Sequence, residues 1–111
     1  RWAVIEKENS SFIGWAGLKY YREEINGFSN FYELGYRLIP KYWGKGYATE
    51  AGLASLNYGF EKLQLEKIYA MADSANTASV KVLKKCGMQY TGSFNLDGAR
   101  HDWFEIKNEK A

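Results

Sequence analysis

The chain has 111 residues, 46% apolar and 17% aromatic, and its 15 basic and 13 acidic side chains leave a net charge of +2. One domain with one packed core fits that length, and the apolar content excludes a disordered chain. The charge balance gives no reason to expect nucleic acid as a partner, no apolar run approaches the ~18 residues of a membrane span, and no signal-peptide pattern leads the chain.

A single cysteine and a single histidine exclude an internal disulfide and a histidine/cysteine metal site, and they fit a reducing, cytoplasmic setting. Residues 1 to 8 read as a strand, Asn9-Ser10 as a turn and residues 11 to 21 as a second strand, together a hairpin. Gly14 and Gly17 mark a bulge or a close neighbour. The rings of Trp2, Phe12, Trp15, Tyr20 and Tyr21 suit cross-strand packing. Residues 22 to 30 are a polar loop with the turn signal Asn26-Gly27. The chain starts at Arg1 without a methionine, already in strand-like sequence, and is read as truncated at its N-terminus.

Residues 31 to 39 alternate. Tyr32, Leu34, Tyr36 and Leu38 fall on one face, and Glu33, Arg37 and Ile39 on the other, which predicts a strand. Pro40, the one proline, lacks an N–H and ends the ladder. Gly44 and Gly46 then flank Lys45 where the backbone must turn. A helix is predicted from about 46 to 63, with Ala48, Gly52, Leu56, Phe60 and Leu63 on its inward stripe and Glu50 placed to suit the dipole at its start. The first N–H groups of a helix have no intrahelical partner and carry partial positive charge. Glycines there let phosphate oxygens come close, and Lys41 and Lys45 add mobile positive charge. The turn therefore reads as a phosphate or pyrophosphate cradle, the alternative being a plain strand-to-helix connection. It is not a Walker A loop, and Thr49 stands where a dinucleotide motif needs its third glycine.

Residues 67 to 72 read as a short buried strand, joined to the strand at 31 to 39 by a β-α-β crossover that should be parallel and right-handed. Residues 73 to 76 are a loop. A helix follows from about 77 to 86, with Val82, Leu83 and Cys86 inward, Lys81, Lys84 and Lys85 outward, and Gly87 as C-cap. Residues 88 to 95 and 100 to 106 form a hairpin across Leu96-Asp97-Gly98, and residues 107 to 111 a polar tail. The fold class is α+β with a mixed sheet: an antiparallel meander, then β-α-β-α, then a C-terminal β-hairpin.

Glu33-Leu34-Gly35-Tyr36-Arg37-Leu38, with Pro40, Tyr42-Trp43-Gly44-Lys45-Gly46-Tyr47-Ala48-Thr49-Glu50-Ala51 behind it, resembles the acetyl-CoA-binding core of the GNAT N-acetyltransferases. Asn76-Thr77-Ala78-Ser79 and Leu83-Lys84-Lys85-Cys86-Gly87-Met88 resemble the second signature of the RimJ/RimL-like branch, the ribosomal-protein N-terminal acetyltransferases and their relatives. The resemblance runs from Trp2 to Ile106. It implies a GNAT-like fold, acetyl-CoA as cosubstrate with no metal, and direct acetyl transfer to a primary amine, either a protein N-terminus or a small molecule. It also implies that the family's leading strand and two helices, one wall of the acceptor site, are missing before Trp2. A non-catalytic acyl-CoA-binding or regulatory module is the alternative.

The resemblance assigns the pyrophosphate to Gly44, Lys45, Gly46, Tyr47 and Ala48, with Lys41 alongside in place of the family's frequent glutamine or arginine. It assigns the pantetheine arm to the backbone of Tyr36, Arg37 and Leu38, where the strand splays from its parallel neighbour. Asn76 would hydrogen-bond the pantetheine, cap the second helix, or both. Ser79 would face the sulfur and donate to the departing thiolate, unless its hydroxyl only bonds its own helix. Glu33 would act as base directly or through water, or else pair with Arg37. Cys86 reads as core, and His101 with Asp102 as a surface pair. The exposed final hairpin suits pairing into a homodimer.

Overall fold

Alternation becomes strand and 3.6-residue periodicity becomes helix throughout the computed structural model, which describes residues 2–5 and 10–109. The elements are β1 (Trp2–Ile5), β2 (Phe12–Tyr21), β3 (Phe31–Leu38), a short 3-10 turn (Pro40–Tyr42), α1 (Tyr47–Glu61), β4 (Lys67–Asp73), α2 (Thr77–Lys85), β5 (Gln89–Leu96) and β6 (Ala99–Lys107). Strand expected at residues 1 and 6 to 8, Asn9 of the first turn, and the last two residues of the tail lie outside the described residues.

The six strands form one sheet in the order β1-β2-β3-β4-β6-β5. The first three make the expected antiparallel meander. β3 and β4 run parallel, as the crossover through α1 requires, and they pair at a single position, Glu33 opposite Tyr69. β2 stays in register with β3 from Gly14–Leu38 to Tyr21–Phe31, so the break lies on the β4 side of β3. Beyond Glu33 the two parallel strands separate, and the sheet opens toward their C-terminal ends. The final hairpin inserts its second strand, β6, beside β4 and leaves β5 at the edge.

The inward stripe of α1 differs from the expected one. Gly52, Ser55, Leu56 and Gly59 are buried, whereas Leu63 lies past the helix end and is exposed. The small residues follow from how close the helix lies to its neighbours. A Cβ at Gly52 would stand 2.8 Å from Cys86 Sγ, and one at Gly59 2.7 Å from Ile68 Cδ1. Gly14 marks a similar close approach, since a Cβ there would run into the Arg37 carbonyl oxygen, 2.1 Å away. Both helices cover the same face of the sheet, over a core of Leu34, Leu56, Ile68, Ala70, Leu83, Cys86, Met88 and Phe104. Burying each large apolar side chain there contributes about 1.5–3 kcal/mol.

The other face carries an aromatic cluster. The Asn26-Gly27 turn closes a one-bridge hairpin between Ile25 and Phe28, which lays Phe28 against Trp103, ring centroids 5.2 Å apart and nearly parallel. Phe31, Tyr69 and Phe94 pack around the same indole. Adjacent residues of a strand face opposite ways, so Trp103 anchors this face while Phe104 anchors the helical one, and both are fully buried.

Candidate active site

The turn between β3 and α1 is built around Tyr42. Its ring is buried with Ile13 and Leu38 and meets Tyr47 edge-on at 5.9 Å. Trp43 donates from Nε1 to the Leu38 carbonyl at 3.0 Å, which folds the turn back on the strand end. The ammonium groups of Lys41 and Lys45 gather over the Tyr42 ring, 5.1 and 5.8 Å from its centroid. Gly44 and Gly46 then adopt φ values of 76° and 83°, a left-handed conformation that an L side chain reaches only with strain.

Gly46 is the N-cap of α1 and supplies no side-chain acceptor to the first helical N–H groups. A Cβ added at Gly44 or Gly46 would meet nothing within 4 Å. Open space therefore lies where side chains would otherwise project, beside helix-start N–H groups to which Gly46 offers no side chain. This is the chemistry of an anion cradle, and it fits the pyrophosphate of acetyl-CoA.

The opening between β3 and β4 is bridged above the sheet by a side chain. Tyr36, on the helical face of β3, places its hydroxyl 2.9 Å from Ser79 Oγ and donates to the Ser79 carbonyl at 3.1 Å. Burial pushes the Tyr36 hydroxyl above the ordinary tyrosine value. The Ser79 hydrogen bond pulls it partly back, and the Cys86 thiol adds a smaller upward push. Burial raises the Cys86 thiol as well, in keeping with its reading as core. Asn76 is the N-cap of α2, its Oδ1 accepting from the Ser79 N–H at 3.0 Å. Ser79 sits in the first turn of α2, and its hydroxyl reaches across to the strand. Met88 N–H returns to the Leu83 carbonyl at 3.1 Å and Gly87 N–H to that of Lys84 at 3.0 Å, closing the helix at Gly87 as expected.

Glu33 lies on the face away from the helices, 7% exposed, at the point where the parallel strands part. It stands opposite Lys19 on one side and Tyr69 on the other. Pairing with Arg37 is not what the structure shows. Arg37 is exposed and makes no ion pair with Glu33 among the described residues. The reason is geometric, because four residues along a strand span about 13 Å, whereas the same spacing brings side chains together only on a helix.

The expected His101–Asp102 pair is likewise absent. Asp102 accepts from Ser74 and Ser93 hydroxyls at 2.6 and 3.2 Å, while His101 Nδ1 lies 3.1 Å from the Ala99 carbonyl. Neighbours in a strand point to opposite faces. Among the described residues no cluster of histidine, cysteine and carboxylate groups is placed to hold a metal ion, and no helix is long and apolar enough to cross a membrane.

The structure thus brings Tyr36, Asn76 and Ser79 together at the opening and sets Gly44 to Ala48 at the start of α1. Glu33 lies on the opposite face, at the position where the two parallel strands pair before they part. The cross-link by the Tyr36 side chain has no local signal in the sequence, which points only to the backbone of that residue. A groove of about 630 Å³ runs beside the glycine turn between β1, β2 and α1, but its lining is largely apolar, with Glu50 its one carboxylate among the described residues.

The family described as "Acetyltransferase (GNAT) domain" matches residues 1–89. The Bacillus subtilis (strain 168) protein described as the uncharacterized N-acetyltransferase YnaD is 37% identical over 95 residues, covering 85% of this chain and 52% of that one. Spermidine N(1)-acetyltransferase of Escherichia coli (strain K12) is 35% identical over 69 residues, covering 62% of this chain and 37% of that one. The crystal structure of a GNAT-family acetyltransferase from Bacillus anthracis superposes with a TM-score of 0.82 at 30% identity, over 96% of this chain and 65% of the other. The chain spans about half the length of the curated relatives it matches over most of its own length. The match over most of its length, together with the splayed parallel pair and the glycine turn, makes this chain a member of the GNAT acetyltransferase family.

Proposed function

We propose that this chain is the acetyl-CoA-binding part of an N-acetyltransferase that passes acetyl directly to a primary amine. The observation that carries the reading is the pairing of a splayed β3–β4 opening with a helix start that Gly46 caps and opens at its end. The N–H groups at the start of α1 hold the pyrophosphate, with Lys41 and Lys45 adding charge. The backbone of Tyr36, Arg37 and Leu38, free of β4 beyond Glu33, offers its polar groups to the pantetheine arm, and Asn76 borders the same opening. Acetyl-CoA supplies an activated acyl group whose leaving group is a thiolate.

The chain's own residues do the rest. Glu33 takes the proton of the incoming amine, directly or through water, from the face opposite the helices. The Ser79 hydroxyl donates to the sulfur from the other side. The spermidine acetyltransferase relative supports a small-molecule amine, and the motifs resembling the RimJ/RimL-like branch support a protein N-terminus. Pairing of two copies along the β5 edge, a location in the cytoplasm and a site wall supplied by segments before Trp2 belong to the same reading.

The test is thiol release from acetyl-CoA by the full-length protein, against a panel holding spermidine, other small amines and peptides with free N-termini. Amine-dependent release confirms the reading. Tight acetyl-CoA binding without release for any amine would instead favour a non-catalytic acyl-CoA-binding module, and no binding would overturn both.

A further inference from the structure

Ser79 is assigned above as the donor to the leaving sulfur, yet its hydroxyl is already engaged. Tyr36 Oη lies within hydrogen-bond distance of two atoms of Ser79, the carbonyl oxygen at 3.1 Å and Oγ at 2.9 Å. A tyrosine hydroxyl has one proton, and a carbonyl can only accept. When Tyr36 donates to the carbonyl, the Ser79 proton points at Tyr36 Oη and away from any ligand. When Tyr36 instead donates to Oγ, the Ser79 proton is free to turn outward. One rotation of the tyrosine O–H switches the serine between these two states, with no heavy atom moving.

We propose that Tyr36 is a positioning residue for acetyl transfer, and that by donating to Ser79 Oγ it aims the serine proton at the departing thiolate. The inference rests on the acetyl-transfer reading above and adds a residue, and a direction of hydrogen bonding, that the reading does not contain. The step balances. The amine nitrogen bonds the acetyl carbon, the C–S bond breaks with its electron pair on sulfur, and the Ser79 O–H hydrogen-bonds that thiolate as it leaves. The proton released by the amine reaches the sulfur through solvent, so amine and thioester become amide and thiol and both hydroxyls keep their protons. Tyr36 keeps its own proton throughout, and its buried setting at the opening favours the neutral form that must donate. A hydrogen bond accepted from Tyr36 also makes the Ser79 O–H a better donor, as in other hydroxyl chains.

The placement is specific to the fold. Tyr36 and Ser79 are 43 residues apart and belong to a strand and a helix on opposite sides of the opening. Their hydroxyls therefore meet where the pantetheine arm ends in the reading above. Ser79 is fixed by its N–H bond to Asn76, and Tyr36 is held in the sheet through its register with Ala16. Two rigid elements thus set the distance between the two oxygens.

The experiment uses the full-length protein with acetyl-CoA and its best amine, and compares wild type with Tyr36→Phe, Ser79→Ala and the double variant. Tyr36→Phe should lower kcat roughly tenfold or more while the KM for acetyl-CoA stays within about twofold. The double variant should be no slower than Ser79→Ala, because two residues acting as one unit are not additive. The selenoester of coenzyme A gives the reading a structural role would not move. Its selenol is the more acidic leaving group and needs less help, so the Tyr36→Phe loss should shrink severalfold.

An equal loss with both esters, full additivity, or no loss would overturn the proposal. Should Tyr36→Phe fail to fold, 3-fluorotyrosine at position 36 keeps the ring and hydroxyl but lowers its pKa. The alkaline limb of the kcat profile should then move to lower pH, and an unmoved limb would overturn the proposal. Wild-type protein that releases no thiol with any amine sinks the acetyl-transfer reading and this one with it, whereas wild-type turnover untouched at position 36 sinks this one alone.

Discussion

Gly46→Ala probes the cradle with one methyl group. The residue sits at φ 83°, and holding an alanine there costs about 1–2 kcal/mol. No packing clash adds to that, since a Cβ at this position meets nothing within 4 Å. Unfolding entropy of ~2.1 cal/mol/K per residue over 111 residues amounts to about 0.23 kcal/mol/K. The melting temperature should therefore fall by roughly 4–9 °C. Acetyl-CoA at about a hundred times its Kd adds ~2.7 kcal/mol to the wild type, roughly 12 °C on the same entropy. In the variant the methyl group occupies the approach to the helix N–H groups, so most of that ligand shift should disappear. Gly27→Ala is the matched control, with φ 81° and the same open surroundings in a turn that belongs to the opposite face of the sheet. It should lose the same stability and keep the full ligand shift. The assay is thermal unfolding followed by circular dichroism, with and without acetyl-CoA, and with free adenine nucleotide as a further control. A Gly46→Ala variant that melts lower but keeps the whole ligand shift would refute the cradle. One that melts with the wild type would refute the strain argument.

Three further outcomes are expected. Asn76→Ala should cost about 1 kcal/mol by uncapping α2, whereas Asn76→Asp keeps an acceptor for the Ser79 N–H but loses the amide donors. If calorimetry shows the Asn76→Asp variant binding acetyl-CoA as tightly as the wild type, the side chain serves the helix and not the ligand. Gly59→Ala should destabilise by about 1–3 kcal/mol through overpacking, because its Cβ would stand 2.7 Å from Ile68 Cδ1 and 2.8 Å from Leu18 Cδ1. Helix propensity alone argues for a gain of about 1 kcal/mol, so a urea midpoint that rises would refute the packing argument. Alkaline pH should weaken the fold through Tyr36. Burial raises its pKa in the folded chain, so folded protein retains a proton that unfolded protein loses. The stability from this group is complete below the unfolded value of about 10 and is lost as pH climbs toward and through the raised folded value. Between roughly pH 9 and 11 the wild type should therefore lose melting temperature more steeply than Tyr36→Phe, and equal slopes would refute it. Cys86, also raised, is common to both and cancels.

Local chemistry was legible wherever one residue or one short period settles the backbone. Alternation from Phe31 to Leu38 made a strand, Pro40 ended it, Asn26-Gly27 and Asp97-Gly98 made turns, and Gly87 closed a helix. The turn at Gly44 and Gly46 was legible for the same reason, since two glycines at a helix start need no distant partner to define their conformation. Asn76 as N-cap was legible too, because the group it bonds is three residues away.

Relations across the chain were not. Glu33 and Arg37 share a face but not a contact, which strand spacing decides. Gly59 turns inward on α1 although glycine is not a typical core residue, because a Cβ there would press on Leu18 of β2 and Ile68 of β4. The sequence by itself determined that this chain makes a meander, a crossover and a hairpin, and that a tight glycine turn stands between the third strand and the first helix. Only the tertiary structure decided that β6 lies between β4 and β5, that the parallel pair meets at Glu33 and Tyr69 and then parts, and that Tyr36 reaches Ser79. The physical reason is that periods and caps are written within a few residues, whereas strand order and hydroxyl pairs 43 residues apart depend on which faces the whole core buries.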